Sequence, residues 1–134
     1  MKVFVDSNIP MYLAGKEHPH REPARRLLAK IQRGQIEGFT SVEVLQEILY
    51  RYTALQKPDL AREVYDAFVQ ICPVVLGVTL AETDLARNLL EEVDGISARD
   101  AIHAAVMINN DLEWIASFDK GFDSVPAIRR VELK

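Results

Sequence analysis

Four acids in this chain occupy positions from which they could act together: Asp6, Glu47, Asp100 and Asp119. Asp6 comes directly after Lys2-Val-Phe-Val5, a short, mostly β-branched or aromatic run that reads as a buried strand. Asp119 follows a second such run, Trp114-Ile-Ala-Ser-Phe118, in the same way. Asp100 precedes Ala101–Ile108, which is apolar nearly all round and so predicts a helix buried in the protein, with Asp100 in its first turn. Glu47 lies beside Ile48, about one turn beyond the start of another predicted helix, where no capping role accounts for it. Carboxylates brought close together raise one another's pKa values, and a divalent cation removes that cost. Oxygen-only ligands suit Mg2+ or Mn2+, whereas Zn2+ would want Cys or His. Mg2+ normally takes one or two carboxylates per ion and fills its shell with water and phosphate oxygens. The chemistry in prospect is therefore hydrolysis or transfer at a phosphate.

The elements that would position these acids alternate along the chain. After Asp6, with Ser7 and Asn8 as caps and Pro10 in the first turn, residues 8–14 read as a short helix stopped by Gly15. Residues 21–33 carry Ala24, Leu27, Leu28 and Ile31 at helical spacing. A strand over 36–40 leads to Thr40-Ser-Val-Glu43, whose spacing is that of a capping box. The helix after it has a predicted buried stripe of Val42, Leu45, Leu49 and Tyr52, with Ile48 beside it. A helix over 58–70, a strand over 73–76 and a helix from the Thr79–Glu82 capping box to about Val93 follow, the last with Leu80, Leu85, Leu89 and Val93 on its apolar side. Residues 128–133 read as a closing edge strand. The order β-α-α-β-α-α-β-α-α-β-β predicts an α/β fold of one domain: a central, mostly parallel sheet of four to five strands with helices on both faces. Parallel strands put Asp6 and Asp119 at one sheet edge, and helices that follow strands begin there, so Glu47 and Asp100 can face the same crevice.

Simpler readings compete at several of these positions. Ser97-x-x-Asp100 has capping-box spacing, and an acid there also complements the helix dipole. Glu43 is a rival to Glu47 but has a structural job at its helix start. His103, on the apolar helix, reads as a satisfied core or rim histidine. His18-x-His20 has metal-ligand spacing, but nothing nearby supplies further ligands, so it reads as a loop. Arg21, Arg25, Arg26, Lys30 and Arg33 read as a solvated helix face, with a phosphate-binding rim as the functional alternative.

Composition narrows the partners. The chain has 134 residues, 49% hydrophobic and 27% charged, an ordinary globular balance. With 20 acids against 16 bases and a net charge of −4, bulk charge repels polyanions, so nucleic acid must bind through local Arg clusters or through cations held by the acids. A single cysteine, Cys72, excludes an internal disulfide and suggests a reducing compartment, the cytoplasm. No signal peptide and no run long enough to span a bilayer is visible.

With the acids in this order, the sequence resembles the PIN-domain family of metal-dependent ribonucleases, and within it the VapC-type toxins of toxin–antitoxin pairs. The matching stretches are Val5-Asp6-Ser7-Asn8, Thr40-Ser41-x5-Glu47, Ser97-Ala98-Arg99-Asp100-Ala101-x-His103-Ala104-Ala105 and Ser117-Phe118-Asp119-x-x-Phe122. They run from one end of the chain to the other. The resemblance implies that Asp6, Glu47, Asp100 and Asp119 are the catalytic carboxylates and hold one or two Mg2+ or Mn2+ ions, with Asp123 a candidate fifth, outer acid. It implies Ser7, Asn8 and Ser117 as polar neighbours of the site. A bound water would attack an RNA phosphodiester, leaving a 5′-phosphate and a 3′-hydroxyl. Arg99, or Arg25 and Arg26, would contact flanking phosphates.

Two other classes fit parts of the sequence. In an aspartate-dependent phosphatase or phosphoacceptor domain Asp6 would itself be the nucleophile, but the usual D-x-D needs an acid where Asn8 stands. A non-enzymatic binding module whose acids only cap helices accounts for Asp100 and Glu43, but not for Asp6 and Asp119 after two strands. The toxin reading also implies partners: RNA as substrate, a cognate antitoxin, a homodimer and no membrane. The helices at 42–55 and 58–70 carry Leu45, Ile48, Leu49, Tyr50, Tyr52, Leu55, Tyr65 and Phe68, more large residues than one buried stripe needs. That surplus predicts an apolar groove for a short amphipathic segment of the partner.

Overall fold

The computed structural model describes residues 1–134. Strand β1 (Lys2–Val5) runs through the middle of a five-stranded sheet. On one side lie β2 (Glu37–Ser41) and then β3 (Val74–Leu76); on the other lie β4 (Trp114–Ala116) and then β5 (Arg129–Arg130). Every pairing is parallel. Val3, Phe4 and Val5 have no exposed surface, as a strand covered on both faces requires. The register pairs Val5 with Ala116, and the Asp6 amide continues the ladder by donating to the Ala116 carbonyl at 3.0 Å. The residues after β1 and β4 therefore emerge side by side. The chain builds outward from β1 to β2 and β3, then crosses back to β4. This makes β1 the point where strand order reverses, the usual place for a site in such sheets.

Six helices connect the strands: α1 (Asn8–Ala14), α2 (Arg21–Gln32), α3 (Val42–Ala54), α4 (Pro58–Ile71), α5 (Leu80–Glu92) and α6 (Ala98–Asn109). The first four pack on one another, and α5 packs on α6. Right-handed crossovers in the two directions put the two groups on opposite faces of the sheet. On α6, Ala101, His103, Ala104, Ala105, Val106 and Met107 are all buried, as its unbroken apolar composition predicts. The buried hydrophobic residues, 31 in number, form one continuous core. No helix is long and apolar enough to cross a membrane.

Several local expectations need correction. Helix α3 is capped by Ser41, whose hydroxyl accepts from the Val44 amide at 3.4 Å, and not by a Thr40–Glu43 box. The Thr40 hydroxyl instead donates to the Val5 carbonyl at 3.0 Å, between neighbouring strands. The inward stripe of α3 is accordingly Val44, Leu45, Ile48 and Tyr52, while Val42 and Leu49, seven residues apart on one face, are 46% and 44% exposed. The Thr79–Glu82 box forms as predicted, and Glu82 also accepts from Asn109 at 2.6 Å, tying α5 to α6. Leu80, placed on the stripe of α5 by its spacing, sits at the first helical position and is exposed. The closing strand is only Arg129–Arg130 and pairs parallel to β4.

Gly38 in β2 is required by packing. A Cβ there would lie 2.9 and 3.0 Å from two Ile31 side-chain carbons and 3.1 Å from the Cys72 sulfur. Helix α2 and the end of α4 can close onto the sheet only because this position has no side chain.

Candidate metal centre

Asp6 is nearly buried, with 4% of its surface exposed, and its carboxylate is held from several directions. Oδ1 accepts from the Ser7 amide at 2.7 Å. Oδ2 accepts from the Ser117 hydroxyl at 2.6 Å and from the Asn8 side-chain amide at 3.4 Å. Asn8 also reaches Ser117 at 3.2 Å, and the Ser117 oxygen accepts from the Asp119 amide at 3.0 Å. The polar residues that follow β1 and β4 thus lace the two strand ends together and aim Asp6 at the crevice. Burial pushes the Asp6 carboxyl above its ordinary range and the charge of Glu47 adds to this, while His103 and the Ser117 and Ser7 hydrogen bonds pull the other way.

Glu47, in the second turn of α3, meets this group. Its Oε2 accepts from the Ser7 hydroxyl at 2.8 Å, and its Oε1 pairs with Nε2 of His103. That ring nitrogen is also 3.8 Å from Asp6 Oδ1. His103 has no exposed surface and packs against the Phe4 and Phe122 rings, at 5.8 and 6.5 Å between centroids. Burial opposes charging the imidazole, but the Glu47 hydrogen bond and the fields of Asp6, Glu47 and Asp100 outweigh it and raise its pKa. Its Nδ1 has no hydrogen-bond partner, which costs a buried ring nitrogen about 1–3 kcal/mol. His103 is buried as expected from its sequence position, but its partners are the site acids. Its i, i+3 relation to Asp100 was the signal that could have placed it at the site.

Asp100 and Asp119 supply the open side. Asp100 is in the first turn of α6, whose cap Ser97 accepts from the Asp100 amide at 3.1 Å. The return half of a capping box is missing, so the Asp100 carboxyl is free to face Asp119. Partial burial, a hydrogen bond with Asp119, and the charges of Asp119 and Asp6 push it up to about 7. Asp119 Oδ1 accepts from the Gly121 amide at 2.8 Å and caps the short 3₁₀ turn Lys120–Ser124. A Cβ at Gly121 would lie 3.1 Å from Asp119 Oδ1 and 3.8 Å from Asp100 Oδ2, so both carboxylates converge on that bend.

All four acids line one cleft of about 430 Å³ together with Ser7, Asn8, Ser97 and Arg99, and no hydrophobic residue contributes to its wall. Asp6, Glu47 and His103 present ligand atoms within 4.8 Å of one another. Because His103 is already hydrogen-bonded to Glu47, we assign it to orienting that carboxylate rather than to ligating a cation. One histidine, even when charged, does not balance four carboxylates, and Asp100 is raised to about 7 by burial first and then by Asp119 and the Asp6 charge. The donor set is oxygen, the charge is in deficit and one side is open. These features fit a hard divalent cation.

The other sequence candidates are placed as follows. Arg99 lies at the cleft, 3.8 Å from Glu47 and 3.9 Å from Glu43, close to both but within salt-bridge range only loosely. Asp123 turns away: Arg130 grips it at 2.8 and 2.9 Å, which satisfies the carboxylate and holds its pKa down. Arg25 and Arg26 pair with Glu22 on their own helix and do not line the cleft. His18 and His20 form an aromatic group with Tyr12 and Phe118 and have no acid among them.

The model of the PIN domain matches residues 3–128. The chain is 43% identical to Ribonuclease VapC13 of Mycobacterium tuberculosis over 129 residues, covering 96% of this chain and 98% of that one. Among solved structures it superposes on Mycobacterium tuberculosis VapC20, a sarcin–ricin-loop-cleaving toxin, with TM-score 0.76 and 23% identity over 92% of this chain and 95% of that one. A toxin–antitoxin complex from Klebsiella pneumoniae gives TM-score 0.67 at 16% identity, covering 95% of each chain.

Proposed function

The chain belongs to the PIN-domain family, and within it to the VapC ribonucleases of toxin–antitoxin systems, and from that premise we propose that Asp6, Glu47, Asp100 and Asp119 together hold Mg2+ or Mn2+ for the hydrolysis of RNA phosphodiesters. The observation that carries this reading is the convergence of four carboxylates from β1, α3, α6 and the end of β4 on one all-polar cleft. A bound divalent cation supplies charge neutralisation at the phosphate and a more acidic water. The chain's own residues do the rest. Ser117, Asn8 and the Ser7 amide fix both oxygens of Asp6, and Ser7 with His103 fixes those of Glu47. Asp100 and Asp119, on the open side, are placed to accept a proton from an attacking water. Arg99 stands at the rim, where its charge can bind a neighbouring phosphate.

The proposed partner is an antitoxin, as in the Klebsiella pneumoniae complex. The groove expected along residues 42–70 divides in two here. Leu45, Ile48, Tyr52 and Phe68 are in the core, and the apolar groove, of about 330 Å³, lies where Leu13 of α1, Leu28 of α2 and Leu60 of α4 meet. An amphipathic segment would bury its own apolar anchors there. The exposed pair Val42 and Leu49 on α3 is the surface a second copy would cover. Reduced Cys72 suits the cytoplasm.

The test is cleavage of single-stranded RNA with product-end analysis. The parent chain should cut with Mg2+ or Mn2+, stop on chelation, and leave a 5′-phosphate and a 3′-hydroxyl. Asp6→Asn and Asp119→Asn should each lose about 100-fold or more. Cleavage that survives chelation, or is undiminished in both variants, contradicts the proposal.

A further inference from the structure

Beside the acid cleft runs a second, larger groove of about 530 Å³, on whose wall Glu47 is the one acid of the four. The two share Ser7, Asn8, Glu47 and Arg99, so they form one continuous path. The second differs in character from both the acid cleft and the apolar groove. Its walls carry three tyrosines, Tyr12, Tyr50 and Tyr52, and three cations, Lys16, Arg51 and Arg99. Only five of its fourteen lining residues are hydrophobic, against eight of ten in the groove of α1, α2 and α4. The two acids on its wall are Glu17 and Glu47, and Glu47 is already engaged by Ser7 and His103. In a chain of net charge −4, this is a local reversal of sign beside a site that must receive a polyanion.

The tyrosines are also suitably held. Tyr50 is 59% exposed and carries the Arg99 guanidinium over its ring at 5.9 Å. Tyr12 is fixed by edge contacts with Phe118, at 5.3 Å and 82°, and His20, at 5.0 Å and 88°, and His18, also on the groove wall, lies tilted against it at 4.6 Å and 35°. Phe118 stands between Ser117 and Asp119, so the ring of Tyr12 is braced on the segment that carries the acids. Tyr50 is exposed and Tyr12 half-buried, while Tyr52 is buried; accessible rings beside cations form the pattern that binds unpaired nucleotides, rings stacking on bases and cations neutralising the backbone. An aliphatic protein segment has no comparable use for three cations.

We infer that this groove holds the unpaired nucleotides next to the cleaved phosphate, with Tyr50 and Tyr12 as base-stacking platforms and Arg51 and Lys16 as backbone contacts. The inference rests on the nuclease reading and adds to it a requirement for accessible bases beside the cut. Tyr50 acts on binding, so its loss is read in Kd and KM and leaves kcat nearly unchanged.

The experiment measures binding of a short fluorescent single-stranded RNA, and of the same oligomer with abasic nucleotides, in the Asp6→Asn background that keeps RNA uncut. Cleavage by the otherwise unaltered chain is followed alongside. Tyr50→Ala should bind the normal RNA roughly tenfold more weakly, Tyr50→Phe should match the parent, and the abasic RNA should not distinguish them. Arg51→Gln should weaken both RNAs alike and lower the salt slope by about one. Equal binding by Tyr50→Ala, or an equal loss on abasic RNA, overturns the inference while the parent's cleavage leaves the nuclease reading standing. A Tyr50→Ala variant whose only change is weaker self-association in light scattering overturns it in favour of a contact between copies. Absence of RNA binding and cleavage in the parent overturns both readings.

Discussion

Asp100→Asn should make the metal-free protein more stable at pH 8 and leave it nearly unchanged at pH 4. The Asp100 carboxyl is raised from 3.8 to about 7, chiefly by burial and by Asp119. A raised carboxyl pKa means that the fold favours the protonated form. Its stabilising contribution is complete below pH 3.8 and is lost as the pH rises through about 7. At about 1.36 kcal/mol per pH unit, the full rise would correspond to about 4 kcal/mol. Asp100 is only partly buried, so solvent screening reduces this to about 2 kcal/mol. Asn also forfeits the favourable interaction of an acid with the first turn of α6, about 0.3–1 kcal/mol. The cost of holding the charged carboxylate, from burial and from its neighbours together, is the larger effect, and the variant should gain about 1–2 kcal/mol at pH 8. For a chain of this length that is roughly 4–8 °C in Tm. Thermal unfolding with a chelator at the two pH values is the assay. Mg2+ should then raise the parent's Tm at pH 8 and narrow the gap, because the cation relieves in the parent what the substitution relieves in the variant. A Tm difference that is the same at both pH values, or a variant less stable at pH 8, would refute the electrostatic reasoning.

Two further expectations concern the scaffold. Gly38→Ala should lose about 1–3 kcal/mol in urea unfolding, because the new Cβ meets Ile31 and Cys72 at 2.9–3.1 Å, and a second substitution, Ile31→Ala, should make the glycine replacement less costly; an unchanged midpoint for Gly38→Ala would show that α2 is not packed as described. Cys72, fully buried and with its thiol pushed up to about 12, should resist iodoacetamide at pH 8 in the native protein and react fully in denaturant, and rapid native labelling would contradict its burial.

What could be read from the sequence follows the range of the interactions involved. Asp6 could be placed because strand and acid are adjacent in sequence, and the parallel order of strands follows from alternation with helices. The same reasoning put Asp119 at the same sheet edge, although β4 ends at Ala116 and Ser117 turns into the site two residues earlier than a longer strand would have allowed. The phase of α3 was misread because Thr40 and Glu43 have cap spacing, yet the Thr40 hydroxyl is occupied across the sheet by Val5, a partner 35 residues away. The role of His103 depends on Glu47, 56 residues distant, and the one local sign, its i, i+3 spacing from Asp100, does not by itself separate it from an ordinary core histidine. Asp123 is a candidate outer acid in the sequence, but Arg130, seven residues on, binds its carboxylate. Of the surplus large residues over 42–70, the core takes Leu45, Ile48 and Tyr52 and leaves Leu49, Tyr50 and Leu55 exposed, while the apolar groove lies along α4, floored by Phe68, where it meets α1 and α2.

Asp6, Glu47, Asp100 and Asp119 are proposed to hold one cation site between them. Titration of Mn2+ followed by electron paramagnetic resonance tests it without any substrate. The parent chain should take up Mn2+ in competition with Mg2+, and Asp6→Asn and Asp119→Asn should each weaken binding by at least about tenfold, as loss of a ligating or orienting carboxylate does. Asp123→Asn should leave binding unchanged, because Arg130 already holds that carboxylate. Mn2+ binding that is indifferent to Asp6 and Asp119, or that is lost on substitution of Asp123, would contradict the site described above.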